Sequence, residues 1–216
     1  IKNLPIKQKY LDEFINITKP EIAYFLGYFW ADGFIADNRN TIDFSIVEKD
    51  GDELKNKLLE IVPFHVAKYK PSTRPNSQVT MAFKKSDSNL HKILKDLDYQ
   101  SKSTVAPTKV LNKIPSNLHC FWWQGYFDGD GCLYLNKSRK NIHPRISFVG
   151  PKEQDWGFYN DLCQKLNIRY KIIFGKNKFG EWSNIYIQTI IECRRLLDYV
   201  YQNGNIIEKI KCQQNH

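Results

Sequence analysis

Apolar and polar positions along this chain change period in a fixed order, and that order occurs twice. A nearly unbroken apolar run leads to Asp32 and stops at Gly33; with Thr18 and Glu21 as a capping box and Pro20 in the first turn, it predicts a helix. Period-two alternation follows in "GFIA" and "TIDFSIV" around the turn "DNRN", which predicts a β-hairpin. Asp50 and Glu53 are expected to cap a second helix through Val62. Strands are expected near "HVAKYK" and "QVTMAF", and a third helix from Ser86 to about Asp98. The same series then repeats: a helix from about Ser116 to Asp130, strands near "CLYLN" and "RISFV", a helix from Lys152 to Leu166, strands near "YKIIFG" and "NIYIQT", and a helix from about Glu192 to Tyr201. The predicted fold class is α+β, with two αββαββα halves at residues 1–98 and 117–216. The joining segment 99–116, "QSKSTVAPTKVLNKIP" with its flanks, reads as a linker because of its prolines and mixed polar residues.

The repeat is also a repeat of letters. "YFLGYFWADGFI" (24–35) aligns with "WWQGYFDGDGCL" (122–133), sharing Gly-Tyr-Phe, a small residue and Asp-Gly, and "ILKDLDY" (93–99) answers "RRLLDYV" (194–200). Asp32 and Asp130 both fall in the last turn of their predicted helices, beside the partially negative end of the backbone dipole, where an acid is disfavoured by roughly 0.3–1 kcal/mol. The same unfavourable choice made twice points to a compensating cation. Gly27 and Ala31, like Gly125 and Gly129, are four apart and so share one helix face, through which two backbones can approach closely. If the halves pack through those faces, the two carboxylates emerge side by side and repel unless a cation or proton sits between them. Hard oxygen donors favour Mg²⁺. Asp128, whose counterpart is Trp30, reads as solvent-facing or as a support for its neighbours. "DGDG" lacks the later ligand positions of a calcium loop.

Composition narrows the class. Lys and Arg total 32 against 23 acids, a formal net charge of +9, which is the footprint of a polyanion binder. Five scattered cysteines and five scattered histidines show no pair at metal-ligand or redox spacing, so soft-metal chemistry is disfavoured and the thiols read as free and mostly buried. No apolar run is long enough to span a membrane and the amino end has no apolar leader, so the expectation is an intracellular protein without a membrane partner.

The two motifs, "FLGYFWADG" (25–33) and "WQGYFDGDG" (123–131), resemble the paired signature of LAGLIDADG homing endonucleases in their single-chain form, and the likeness extends over nearly the whole chain from Thr18. That resemblance implies two pseudo-symmetric halves packed through the motif helices, with saddle-shaped antiparallel sheets lying in the DNA major groove. It implies a monomer that hydrolyses both strands of a long DNA target, with Asp32 and Asp130, alongside Ala31 and Gly129, at the divalent metals. Mg²⁺ would be the working ion, Mn²⁺ would substitute, and Ca²⁺ would bind without supporting cleavage. By position Lys102 resembles the family's basic residue near the scissile phosphate, and its counterpart falls in "IIEKIKC" as Lys209 or Lys211. Glu48 resembles a polar residue that orders water, where the second half offers Gly150; that difference bears on whether the two centres cut equally.

Outward-facing strand positions are the expected base readers, because successive strand residues alternate between faces. These are Thr41, Asp43, Ser45, Lys68, Lys70, Gln78, Thr80, Arg145 and Ser147, with Asn40, Asn184 and Gln188 as further expected DNA contacts. Hairpin tips offer Arg39, Lys137, Arg139, Lys140, Lys176 and Lys178 to phosphates. Two other functions use the same scaffold: an intron RNA-splicing maturase, and a DNA-binding regulator without catalysis. An intein origin is disfavoured, since the chain runs from Ile1 to "QQNH" instead of from Cys or Ser to His-Asn.

Overall fold

The computed structural model describes residues 6–36, 38–69, 78–137 and 142–204. The first lobe contains α1 (Ile6–Ile15), α2 (Pro20–Asp32), β1 (Phe34–Ile35), β2 (Thr41–Val47), α3 (Glu48–Ile61), β3 (His65–Tyr69), β4 (Thr80–Ser86) and α4 (Ser88–Asp96). A 3-10 turn (Tyr99–Ser101), α5 (Thr108–Lys113) and a second 3-10 turn (Ser116–Leu118) lead to the other lobe. That lobe runs α6 (His119–Asp130), β5 (Cys132–Lys137), β6 (Ile142–Pro151), α7 (Gly157–Lys165), β7 (Lys171–Asn177), β8 (Gly180–Ile187) and α8 (Ile190–Val200). The sheets, ordered β1-β2-β4-β3 and β5-β6-β8-β7, are antiparallel throughout and repeat one topology. The α+β class and the two equivalent halves are therefore present.

α2 is apolar on every side, with each residue from Ile22 to Trp30 buried. A helix of that kind must be covered all round. One side meets α6; the other meets its own sheet, where Phe25, Tyr28 and Phe29 pack on Phe44 at ring separations of 6.5, 5.9 and 6.1 Å. In the second lobe Tyr126 stacks on Phe148 at 5.1 Å and Trp123 on Phe158 at 5.4 Å. Trp30 and Trp122 meet across the boundary at 6.5 Å, so the two cores form one continuous apolar cluster.

Several element ends differ from expectation, each for a local reason. α2 starts at Pro20 with Lys19 as N-cap and no side-chain cap bond, so Thr18 and Glu21 form no capping box. α3 starts at Glu48, directly from β2, and not at Asp50. α4 is capped by Asp87, which accepts from the backbone N–H groups of Asn89 and Leu90 at 3.0 and 3.2 Å, while Ser86 ends β4. β6 continues to Pro151, so the next helix begins at Gly157 and not Lys152. The segment between the halves carries α5, whose Val110 is fully buried with Ile114 just beyond it, so it packs against the core. α1 was not foreseen; Tyr10, Leu11 and Phe14 seat it on the first lobe, and the Tyr10 hydroxyl donates to Asp87. Among the described residues no helix is long and apolar enough to cross a membrane.

Candidate nucleic-acid cleavage site

The seam between the lobes is a contact of backbone with backbone. A Cβ on Gly27 would lie 1.9 Å from the carbonyl oxygen of Trp122, and one on Gly125 would lie 2.0 Å from that of Tyr24. Neither distance admits a side chain, so hydrogen at both positions is a condition of the approach. One turn further on, a Cβ on Gly129 would lie 2.3 Å from that of Ala31. α2 and α6 thus touch down to their carboxyl ends, which bring out Asp32 and Asp130, both exposed.

The two acids share their surroundings. Burial is the main cause raising the hydroxyl of Tyr28 far above its ordinary range, and neighbouring Asp32 adds to it; burial, followed by the charge of Asp130, does the same to Tyr126. Lys102 lies within the field of both carboxylates. Its ammonium is largely buried, donates to the carbonyl of Trp30 at 2.7 Å and also to that of Ala31, and so closes the open end of α2. Burial lowers its pKa to about 8, against the upward pull of Asp130 and then Asp32. A lysine at a helix carboxyl end is electrostatically favourable, offsetting what the two acids cost there.

Whether a divalent ion suits this place is a question of donors. Among the described residues no group of three or more His, Cys, Asp or Glu side chains converges. A closed cage of such side chains is therefore absent among the described residues. Two carboxylates at the seam match a Mg²⁺ mode of binding, in which one or two protein carboxylates, water and substrate phosphate complete the shell. The Ala31 carbonyl, expected beside the metals, is engaged by Lys102.

Asp128 is not solvent-facing. It is buried, accepting from Tyr24 of the opposite motif helix at 2.9 Å and from Tyr201, just past α8, at 2.7 Å. Its partners lie 104 and 73 residues away in sequence, so no local pattern could have announced them. Gln124, also on α6 and fully buried, donates to the carbonyl of Gly204 at 3.1 Å.

Glu48 receives Lys68 at 2.7 Å, with Asp52 at 3.4 Å from the same ammonium. Strand register shows that its counterpart is not Gly150. Phe34 pairs with Asp43 as Cys132 pairs with Ser147, and five residues on from those positions stand Glu48 and Lys152, the latter bonded to Glu181 at 2.8 Å. Where one lobe has an acid, the other has a base.

The outward strand faces follow from burial. Thr41, Asp43 and Ser45 face away from buried Ile42, Phe44 and Ile46, and Thr80 shares their side. Arg145 and Ser147 do so in β6, with Asn184 in β8. Lys68 does not: it pairs with buried Met81 and turns toward α3, leaving His65, Ala67 and Tyr69 as the outward residues of β3. Lys176, paired with Glu181, likewise has the phase opposite to Asn184. Arg39 and Asn40 form the exposed β1–β2 turn, Gln78 is exposed before β4, Lys178 lies over the Phe179 ring at 4.9 Å, and Gln188 follows β8. Lys70, Arg139, Lys140, Lys209, Lys211 and the side chain of Lys137 lie outside the described residues. Sequence reasoning missed outward His65, Tyr69, Lys84, Tyr186, Val149 and Ile173; Lys84 was within reach, since it adjoins buried Phe83.

No family model matches the chain, and no curated protein matches it in sequence. Solved structures match in shape. The I-LtrWI LAGLIDADG homing endonuclease bound to target DNA is 14% identical over 92% of this chain and 87% of that one, with a TM-score of 0.54. The N-terminal LAGLIDADG domain of DUF199/WhiA is 16% identical over 97% and 94%, with a TM-score of 0.54. A doubly substituted I-DmoI in complex with its nicked target DNA in the presence of Mn is 11% identical over 89% and 99%, with a TM-score of 0.55. The chain has the single-chain, two-lobed LAGLIDADG fold.

Proposed function

We propose that this chain is a site-specific endonuclease that acts as a monomer and hydrolyses both strands of a long double-stranded DNA target with divalent metal ions. The observation that carries this reading is the end of the glycine seam, where Asp32 and Asp130 emerge from twin helices and both act on one partly buried lysine. DNA-bound neighbours of the same fold and a formal net charge of +9 support a polyanionic substrate.

Asp32 and Asp130 would hold Mg²⁺, or Mn²⁺ in its place, while Ca²⁺ would bind without supporting cleavage. When bound, the ions supply charge neutralisation at the phosphate and a water nucleophile at neutral pH. Asp32 and Asp130 present hard oxygen at the seam, where Gly27 against the backbone of Trp122 and Gly125 against that of Tyr24 bring the two helices together. Lys102, a cation at neutral pH, places positive charge where a phosphodiester gains negative charge in the transition state. Glu48 in one lobe and Lys152 in the other give the two strands unequal polar surroundings. The outward strand residues and hairpin tips, including Arg39, Asp43, Ser45, Thr80, Lys137, Arg145, Ser147, Lys178, Asn184 and Gln188, contact the duplex.

Incubation with Mg²⁺ and a randomised duplex library, followed by sequencing of cut ends, is the test. A recurrent site cut in both strands is expected. A second reading on the same fold is a DNA-binding protein that does not cut, since a fold does not by itself fix an activity. Sequence-specific binding with no cleavage in Mg²⁺ or Mn²⁺ would establish that reading instead.

A further inference from the structure

The first lobe and the second differ most on the face that the proposed function turns toward DNA. Register aligns the two faces row by row. Ser45, Ala82 and Ala67 form one row across β2, β4 and β3. The equivalent row across β6, β8 and β7 is Val149, Asn184 and Ile173. Val149 is 57% exposed and Ile173 38%, so two branched aliphatic side chains stand outward on either side of one amide.

Three features show that this row is built to meet something. Among the described residues the Oδ1 atom of Asn184 is buried without a hydrogen-bond partner, an acceptor that lacks a donor in the protein alone. The next row out contains Trp182, whose indole lies directly over Gly175: a Cβ there would be 2.2 Å from the ring. The row on the other side is Ser147, Tyr186 and Lys171, and the guanidinium of Arg145 stacks over the Tyr186 ring at 3.9 Å. The patch is thus apolar in its centre and cationic along one border, which matches a base-pair edge flanked by phosphates.

We infer that the Val149–Asn184–Ile173 row makes the second lobe select an A·T-rich step in its half of the target, with the amide on adenine and the two aliphatics against thymine methyl groups. Resting on the DNA-binding reading above, it adds the base composition of one arm. The chemistry singles out that pair. Adenine presents a donor, its N6 amino group, beside an acceptor, N7, in the major groove; once the Asn184 side chain swings its amide out of the sheet surface, where Oδ1 is buried in the free protein, the amide answers both and Oδ1 gains the donor it lacks. Guanine offers only acceptors there. Cytosine carries no methyl group to cover Val149 or Ile173, whereas thymine does. The matching row in the first lobe has neither amide nor branched aliphatic side chain, so its arm is free of this preference.

Duplexes bound by the full chain are selected from a randomised library in Ca²⁺, then selected again with Asn184→Ala and with the double variant Val149→Ala, Ile173→Ala. An A·T step is expected in one arm, weakened about tenfold in selectivity by Asn184→Ala and unchanged in the other arm. Replacing thymine by uracil in that arm should weaken binding severalfold for the wild type and not for the double aliphatic variant. A specific site whose Asn184-dependent position prefers G·C, or a site that none of the variants alters, overturns this inference and leaves the DNA-binding reading standing. Failure to enrich any duplex overturns both.

Discussion

On the inner side of each lobe one phenylalanine receives the tyrosine of its own seam helix: Tyr28 on Phe44 at 5.9 Å, and Tyr126 on Phe148 at 5.1 Å. On the outer side the same strands carry Ser45, Ala82 and Ala67 in one lobe and Val149, Asn184 and Ile173 in the other. Inner positions are held alike by packing, since close-packed interiors tolerate little change in volume. Outer positions obey no such constraint and have diverged in chemistry. On the proposed function, the difference separates what makes the scaffold from what would choose the DNA target. It also predicts which changes act on both lobes equally and which on one.

The largest symmetric effect belongs to the acids. On the proposed assignment, Asp32→Asn and Asp130→Asn should each lower double-strand cleavage by about a thousandfold or more, since each would remove a hard ligand from one centre, while DNA affinity stays within severalfold. A single-site variant that still nicks one strand would show that each centre serves its own strand. Both variants cutting both strands at full rate would refute the assignment.

Next come the seam glycines. Gly27→Ala and Gly125→Ala should each destabilise by roughly 3 kcal/mol, because the new methyl meets a backbone carbonyl that has no flexible end to move aside. Urea unfolding monitored by tryptophan fluorescence measures this. A cost below roughly 1 kcal/mol at either position would mean that the helices can part without loss.

The twin helices and four-stranded sheets were legible in the sequence because their signals are local: an apolar run ending in Asp-Gly, and alternation broken by turns. The outer face was legible only where phase is unambiguous. In "HVAKYK" both Val66 with Lys68 and Ala67 with Tyr69 are plausible inward sets, and only pairing with β4 decides between them. Lys68 consequently went to the wrong face, and Tyr69, 3.4 Å from the Ser45 hydroxyl, was overlooked. α1 was missed because its apolar residues are interleaved with Lys, Asp and Glu. Asp128 could not be placed from sequence at all, since what buries it is a meeting of three distant segments.

A smaller effect isolates Lys102, which closes the first lobe's helix. Burial takes its pKa from the ordinary 10.5 to about 8. The unfolded chain keeps the ordinary value, so between those two pH values it binds more protons than the folded one, and stability rises with pH across that window. Metal-free protein should therefore gain roughly 1.5 kcal/mol from this group between pH 8 and 9.5. The buried thiols of Cys163 and Cys193 are raised to about 12 and 11 and act in the opposite sense above pH 9. The readout is accordingly the difference from Lys102→Met, in which the gain should be missing. Parallel curves for the two proteins would show that Lys102 is not held as a buried cation.

The smallest effect sets one lobe directly against the other. Tyr99 and Tyr201 each follow the last long helix of their lobe and each reach back to a motif helix, but to different acceptors. The Tyr99 hydroxyl donates to the backbone carbonyl of Leu26 at 2.7 Å, whereas Tyr201 donates to the Asp128 carboxylate at 2.7 Å. A bond to a neutral carbonyl already inside a helix contributes about 1 kcal/mol, and a bond to a buried carboxylate about 2 kcal/mol. Tyr201→Phe should thus cost about 1 kcal/mol more than Tyr99→Phe in urea unfolding, and Asp128→Asn should erase that excess, because the neutral amide no longer depends on a second donor. Equal costs for the two tyrosine variants in the wild-type background would mean that the carboxylate is satisfied from elsewhere, and that the second lobe's seam helix is not anchored through Asp128.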